Sequence, residues 1–388
     1  MRTLPSLPLV ALCATACSAP PGPATTAREA PPAAATLQRV PFEVDLGGWQ
    51  SRAELVHPAP GDVHGNGPWP VVLLVCGNGP HDMDVTLPGK DGGKLFALLA
   101  DTFAARGFAV VRYHKRFVRG PGDFDARFWR EQSTPQFVAD ANQVLQQALT
   151  LAPCDRERLF VHGWSEGTAV GARLAIERGD VDGLVLQGPV GLSWRDTVRF
   201  WIERVGMPYA AGADGGSITA RELGAALTGD GGMVAKLGAS FFADPKRGPD
   251  GVRVSTRLDT DGDGALDPDR EVRPRLDELL DFAFSPFGNV HVYADGRTVP
   301  EVTAQASQLQ MPVLILQGEH DASTPLEGGR ALAAALRAAG NRDVELCELA
   351  GRGHTLGPAA SLVDDRGRIP DAATLLPIAA WLAAHARR

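Results

Sequence analysis

The strongest constraint on the fold is the pentapeptide Gly163-Trp164-Ser165-Glu166-Gly167, which follows the short apolar run 159–161. The next segment, 168–179, is rich in small residues and has the pattern of a helix closed by glycine. This order predicts a sharp strand-to-helix turn that exposes the Ser165 hydroxyl, with glycines where side chains would collide. The pattern therefore predicts a nucleophilic serine that attacks a carbonyl.

Short apolar runs recur along the chain, as expected for parallel strands that are buried on both faces. They are 71–75, 109–113, 159–161, 183–186 and 313–316. Helical patterns over 94–106 and 134–151 lie between them, and alternation at 40–46 and 52–56 predicts an antiparallel pair at the start of the sheet. Together these patterns predict a doubly wound α/β fold.

This rhythm is interrupted between about residues 191 and 309, where glycine and charged residues increase. Apolar residues at helical spacing recur there, from Trp194 to Val205 and from Leu276 to Ala283. We therefore expect one domain over 39–388 with a largely helical cap insertion at about 191–309.

The N-terminus has the features of a targeting segment. Arg2 is followed by a mostly apolar stretch, and small residues precede Cys17, which resembles the lipidation site of bacterial lipoproteins. We expect a signal or lipoprotein-like segment over 1–17 and a Pro/Ala-rich linker over 18–38. The protein is then exported, as an envelope lipoprotein attached to the membrane through lipidated Cys17 or as a secreted protein. An untargeted tail is the alternative.

Composition excludes one class of partner. The 388 residues carry a formal net charge of -8, with acidic and basic residues mixed along the chain. Because no basic stripe is present, we expect no binding of nucleic acid.

A serine hydroxyl is a weak nucleophile, so it needs a histidine to accept its proton and a carboxylate to orient that histidine. The serine turn resembles that of α/β-hydrolases, and this resemblance implies that the acid and then the histidine follow in loops after late strands. Asp321 comes directly after the run 313–316, with Glu319 as an alternative, and His354 follows the alternating segment 344–349. We expect Ser165, Asp321 and His354 to form a triad.

The attack creates an oxyanion, which needs backbone N–H donors. One donor is expected from Glu166, the residue after the nucleophile. The other is expected from Asn78 in the loop Cys76-Gly77-Asn78-Gly79-Pro80, where glycines let the backbone approach the substrate.

With these motifs the chain resembles the α/β-hydrolase superfamily. The segments 77–82 and 111–116 resemble exported bacterial serine hydrolases that carry Gly-Ser-Gly-Pro and Arg-Tyr-Asp-Lys-Arg at these places. The resemblance covers roughly 40–190 and 310–388 and implies an α/β-hydrolase fold with a mostly parallel sheet. Two positions depart from it, because Cys76 replaces a histidine and His114 replaces an aspartate.

A second candidate site lies in the insertion. Acidic residues alternate along 259–267 with glycine at the sixth position, as in a calcium loop. The expected ligands of this structural calcium are Asp259, Asp261, Asp263, Ala265 through its carbonyl, Asp267 and Glu271. A solvated acidic turn is the alternative.

These motifs favour a serine hydrolase that cleaves small-molecule carboxylic esters or thioesters through an acyl-enzyme, without a cofactor for catalysis. A prolyl-oligopeptidase-like peptidase or amidase is the nearest alternative, since the same fold and triad serve it. An alternative of another class is an inactive, calcium-stabilised surface binding protein.

Overall fold

A mostly parallel sheet forms the centre of the computed structural model, which describes residues 36–89, 92–212, 215–244, 251–288, 290–294 and 296–387. Its strands are β1 (Leu37–Asp45), β2 (Gln50–Pro58), β3 (Trp69–Val75), β4 (Ala109–Tyr113), β5 (Cys154–Trp164), β6 (Gly183–Gln187), β7 (Val313–Gly318) and β8 (Val344–Leu349). Their spatial order is β1-β2-β4-β3-β5-β6-β7-β8. Only β1 with β2 and β2 with β4 pair antiparallel. The predicted sheet is confirmed.

Helices cover both faces of this sheet. They are α1 (Leu95–Ala104), α2 (Thr134–Ala148), α3 (Glu166–Arg178), α4 (Leu326–Ala338) and α5 (Ala372–His385). Along β3, Val71 and Leu73 face the core beneath α2, α3 and α4, whereas Val72 and Leu74 face the core beneath α1 and α5. Because both faces are buried, these strands have no polar alternation in the sequence.

The insertion after β6 is largely helical. Its α-helices are Trp194–Phe200, Met207–Ala211, Ala220–Thr228, Met233–Ser240 and Leu276–Phe284, joined by π-helices Trp201–Gly206 and Pro268–Val272 and 3-10 turns Arg273–Arg275 and His291–Tyr293. The remaining short elements of the chain are Val118–Gly120, Asp123–Phe124, Arg127–Glu131, Ile218–Thr219, Ala265–Leu266, Val302–Gln305 and Ala306–Gln308. Ile202, Val205 and Phe242 form a separate apolar core with Leu266 and Leu280.

The ends of two predicted segments differ from the structure. Val302, Ala306 and Leu309 pack into the core of the main sheet, so the stretch before β7 is part of the sheet domain although we predicted an insertion up to about residue 309. At the other end β1 begins at Leu37, inside the predicted linker 18–38, because its pairing with β2 extends to Pro58.

The predicted targeting segment 1–17, Cys17 and most of the linker lie outside the described residues. Within the described ranges, every helix is too short or too polar to cross a bilayer.

Candidate active site

Ser165 occupies a strained turn between β5 and α3. Its backbone has φ 58° and ψ -128°, a conformation that non-glycine residues rarely adopt. Its N–H donates to the Gln187 carbonyl at the end of β6 (2.9 Å). A Cβ on Gly163 would lie 2.4 Å from the Gly167 carbonyl oxygen, and one on Gly167 would lie 2.1 Å from that of Val75. Both glycines are therefore needed for α3 to begin so close to the sheet.

The loop after β3 lies directly against this serine. A Cβ on Gly77 would be 2.7 Å from the Ser165 Cβ. The Asn78 carbonyl accepts a hydrogen bond from His81 Nε2 (2.7 Å), and the Asn78 side-chain oxygen accepts one from the Gly79 N–H (2.8 Å). Glu166 is the first residue of α3, where backbone N–H groups have no partner within the helix. The two predicted donor residues thus flank the serine.

His354 is paired with Asp321. Its Nδ1 lies 2.9 Å from the Asp321 Oδ2, and the carboxylate is almost fully buried at 1% exposure. The other Asp321 oxygen accepts the N–H groups of Ser323 and Thr324 at 2.9 and 2.8 Å. Since Nδ1 faces the carboxylate, Nε2 is left as the proton acceptor. The alternative acid, Glu319, instead accepts from a backbone N–H of the neighbouring loop.

The His354 ring and Ser165 lie at the same edge of the sheet. A Cβ on Gly188 would be 2.7 Å from His354 Nδ1, and Gly188 follows Gln187, which pairs with the serine backbone. The indole N–H of Trp164 donates to the His354 carbonyl (3.1 Å). The residue beside the nucleophile thereby holds the loop that carries the histidine.

Two histidines of the site have shifted pKa values. Burial lowers the pKa of His354, but the charge and hydrogen bond of Asp321, with a smaller contribution from Asp365, raise it above the ordinary value. Burial lowers the pKa of His81 to about 4, and the nearby Lys115 charge adds to this effect. His81 is therefore neutral at physiological pH, whereas His354 readily accepts a proton.

A buried ion pair beneath the site was not foreseen from the sequence. Lys115 Nζ donates to the Gly77 carbonyl (2.8 Å) and to Glu166 Oε2 (3.4 Å), and it lies 4.0 Å from the ring centroid of Phe137. Lys115 stands inside the segment 111–116 that carries the family resemblance, which was the only available signal. The pair connects the loop after β3 to the first residue of α3.

A recess of about 310 Å³ adjoins this site. Asn78 forms part of its wall, together with the aromatic rings of Trp129 and Trp201 and the side chain of Arg297. Tyr293, from the insertion, also lines it. The insertion thus supplies aromatic surface next to the loop that faces Ser165.

The two departures from the family pattern have simple local roles. Cys76 is buried, and burial raises the pKa of its thiol to about 11, so it packs as a small apolar side chain. His114 Nδ1 accepts the Met83 N–H (2.9 Å) and supports the loop that contains Asp82. Both residues act on loop packing.

The predicted metal ligands are brought together in part. Carboxylate oxygens of Asp259, Asp261 and Asp263 lie within 4.8 Å of one another, as a hard cation such as calcium requires. Asp267 instead caps the following helical turn. Glu271 accepts hydrogen bonds from the backbone N–H groups of Thr260 and Asp267, so its carboxylate connects the two ends of the loop. Ala265 lies in a two-residue strand paired with Thr219.

Sequence comparisons match parts of this chain to known families and to a curated protein. The family described as "Serine aminopeptidase, S33" matches residues 90–238, and the family described as "TAP-like protein" matches residues 291–363. Esterase EstD of Thermotoga maritima is 31% identical over a 163-residue alignment that covers 40% of this chain. The match spans 36% of the length of EstD.

Solved structures share the fold. The proline iminopeptidase of Mycobacterium smegmatis has a TM-score of 0.50 at 16% identity, and the alignment covers 90% of this chain and 99% of that one. A proline iminopeptidase-related protein from Thermus thermophilus has the same TM-score and coverage at 18% identity. Fold and sequence matches together define an α/β protein with a strand-turn-helix serine. The matched families, the matched relative and the shared fold together indicate the α/β-hydrolase superfamily.

Proposed function

We propose that the protein is a serine hydrolase that cleaves carboxylic esters or thioesters. The observation that carries this proposal is the Asp321–His354 pair at 2.9 Å beside a serine held at φ 58°. A base that is oriented by a buried carboxylate can activate a hydroxyl that is a poor nucleophile by itself.

In this mechanism Ser165 Oγ attacks the carbonyl carbon while its proton moves to His354 Nε2. Asp321 stabilises the imidazolium through Nδ1, and the N–H groups of Asn78 and Glu166 stabilise the oxyanion. Collapse of the tetrahedral intermediate breaks the bond to the leaving alcohol or thiol, which takes the proton from His354. A water molecule then gives a proton to His354 and attacks the acyl-enzyme, which releases the acid and restores Ser165.

The recess beside Asn78 is the proposed site for one substituent of the substrate. Its walls include Trp129, Trp201 and Tyr293, so an apolar group would be buried there against aromatic rings. Its volume of about 310 Å³ suits a small-molecule substituent.

A peptidase or amidase is the alternative, and the family described as a serine aminopeptidase supports it. EstD, the matched relative, is named as an esterase. We therefore favour ester cleavage.

Nitrophenyl esters of increasing acyl length, assayed beside aminoacyl nitroanilides, test this proposal. We expect the esters to be cleaved, the anilides to be cleaved far more slowly, and Ser165→Ala to abolish both activities. Faster cleavage of an aminoacyl nitroanilide than of any ester would instead support the peptidase. Ester cleavage that survives Ser165→Ala would refute the mechanism.

Export through the N-terminal segment remains part of this proposal. Expression of the full chain in a bacterium, followed by fractionation, tests it: Cys17→Ala should move a lipoprotein from the membrane fraction to the soluble fraction. Wild-type protein found in the cytoplasm with its N-terminus intact would contradict export.

A further inference from the structure

A second buried carboxylate lies beside the Asp321–His354 pair. Asp365 is in the loop between β8 and α5 and is only 8% exposed. Its Oδ2 accepts the backbone N–H of Ala322 (3.0 Å) and that of His354 (3.0 Å). One oxygen atom therefore joins the loop after β7, which carries the acid, to the loop after β8, which carries the base.

The chain is built for the close approach of this carboxylate. A Cβ on Gly353 would lie 2.1 Å from Asp365 Oδ1, so the residue before His354 can be nothing larger than glycine unless the loop shifts. The preceding residue, Asp364, pairs instead with Arg366 and Arg368. Asp364 is thus neutralised by arginines of its own loop, whereas Asp365 contacts the loop that carries His354.

Charged groups from three loops face this point. Asp321 and His354 act on Asp365, and burial together with the Asp321 charge raises the pKa of Asp365 to about 6. The groups that act on His354 are Asp321 and Asp365, which raise its pKa. His81, from the loop after β3, is also within electrostatic range of His354. Two carboxylates thus lie within electrostatic range of one imidazole.

We propose that Asp365 is a positioning residue for the base: it fixes the spacing of the acid and base loops, and its negative charge stabilises protonated His354. The inference rests on the proposed serine hydrolase mechanism, in which His354 becomes an imidazolium once during acylation and once during deacylation. Asp321 orients the ring through Nδ1, whereas Asp365 holds the backbone on which the ring is mounted.

Two substitutions separate the charge from the hydrogen bonds. Asp365→Asn keeps an oxygen that can accept both N–H groups but removes the charge, whereas Asp365→Ala removes both. Asp364→Asn is the matched control, because it removes an adjacent carboxylate that has its own arginine partners. Circular dichroism and thermal midpoints establish that each variant is folded.

The first readout is the pH profile of kcat and kcat/KM with an ester that the wild type cleaves. For Asp365→Asn we expect the acid limb to move to lower pH by up to about one unit and the plateau kcat to fall about tenfold at similar KM. Asp365→Ala should lose roughly a further tenfold. Asp364→Asn should retain the wild-type profile.

The second readout does not depend on turnover. Proton NMR titration of the His354 ring should give a lower pKa in Asp365→Asn than in the wild type and an unchanged pKa in Asp364→Asn. A wild type that cleaves no ester would refute the proposed function, and the titration would still test Asp365. An unchanged His354 pKa and acid limb in Asp365→Asn would overturn the inference, whether or not the variant is less stable.

Discussion

Removal of the Lys115 ammonium gives the sharpest test of the packing beneath the active site. Lys115 and Glu166 are 3% and 1% exposed, and the Lys115 side chain also holds the Gly77 carbonyl at 2.8 Å. In Lys115→Met the apolar stem remains beside Phe137, while Glu166 loses its buried counter-charge and Gly77 loses its donor.

Breaking a buried pair from one side typically costs about 3–5 kcal/mol, because an uncompensated charge stays in the interior. Such a loss is a large part of the roughly 5–15 kcal/mol that stabilises most domains. Burial already raises the pKa of Glu166, against the effect of Lys115. In the variant the folded chain therefore binds a proton more tightly than the unfolded chain. The part of the destabilisation that comes from the Glu166 charge is then largest above the folded pKa and disappears below about pH 4.

Urea unfolding at neutral and acidic pH measures this effect. Lys94→Met is the control, since Lys94 is exposed and its partner Asp84 keeps a second pair with Arg112. This variant should lose no more than about 1 kcal/mol. Lys115→Met combined with Glu166→Gln should regain part of the stability, because no unpaired charge is left. An unfolding midpoint for Lys115→Met equal to that of Lys94→Met, or a double variant no more stable than Lys115→Met, would refute the reasoning.

Two further predictions concern protonation and metal binding. Ester cleavage should fall as the pH drops through the raised pKa of His354, because the base must be neutral. The variant Asp321→Asn should shift this acid limb to lower pH and reduce kcat by about 10⁴-fold. A pH-rate profile that is unchanged in the variant would contradict the triad. Calcium at a hundred times its Kd should stabilise the folded chain by about 2.7 kcal/mol. The double variant Asp261→Ala with Asp263→Ala should show no calcium binding in isothermal titration. Heat of binding that persists in this variant would contradict the site.

The sheet and the serine turn could be predicted because their determinants are local. Strands such as β3 are buried on both faces and are therefore continuous apolar runs, and the glycines around Ser165 stand at fixed spacing from it. Asp321 and His354 could be placed because each follows a strand whose end lies at the same edge of the sheet.

The remaining features depend on contacts between distant segments. Lys115 and Glu166 are 51 positions apart, and Asp365 meets Ala322 across 43 positions. The motifs that contain Lys115 and Glu166 do not indicate that these two side chains pair. The stretch that contains Val302 and Leu309 has no long apolar run, so its packing into the main core could not be separated from the insertion by pattern. Contacts of this kind can be identified only in the folded structure, because the spacing of residues along the chain does not indicate which distant segments meet.

Labelling with a fluorophosphonate probe tests the central claim most directly. We predict that the wild type reacts at a single serine, that mass spectrometry of the labelled peptide identifies Ser165, and that labelling is absent in Ser165→Ala and much slower in His354→Ala. A folded wild type that does not react, or a label on another serine that persists in Ser165→Ala, would contradict the account, and absence of any reaction would favour an inactive binding protein.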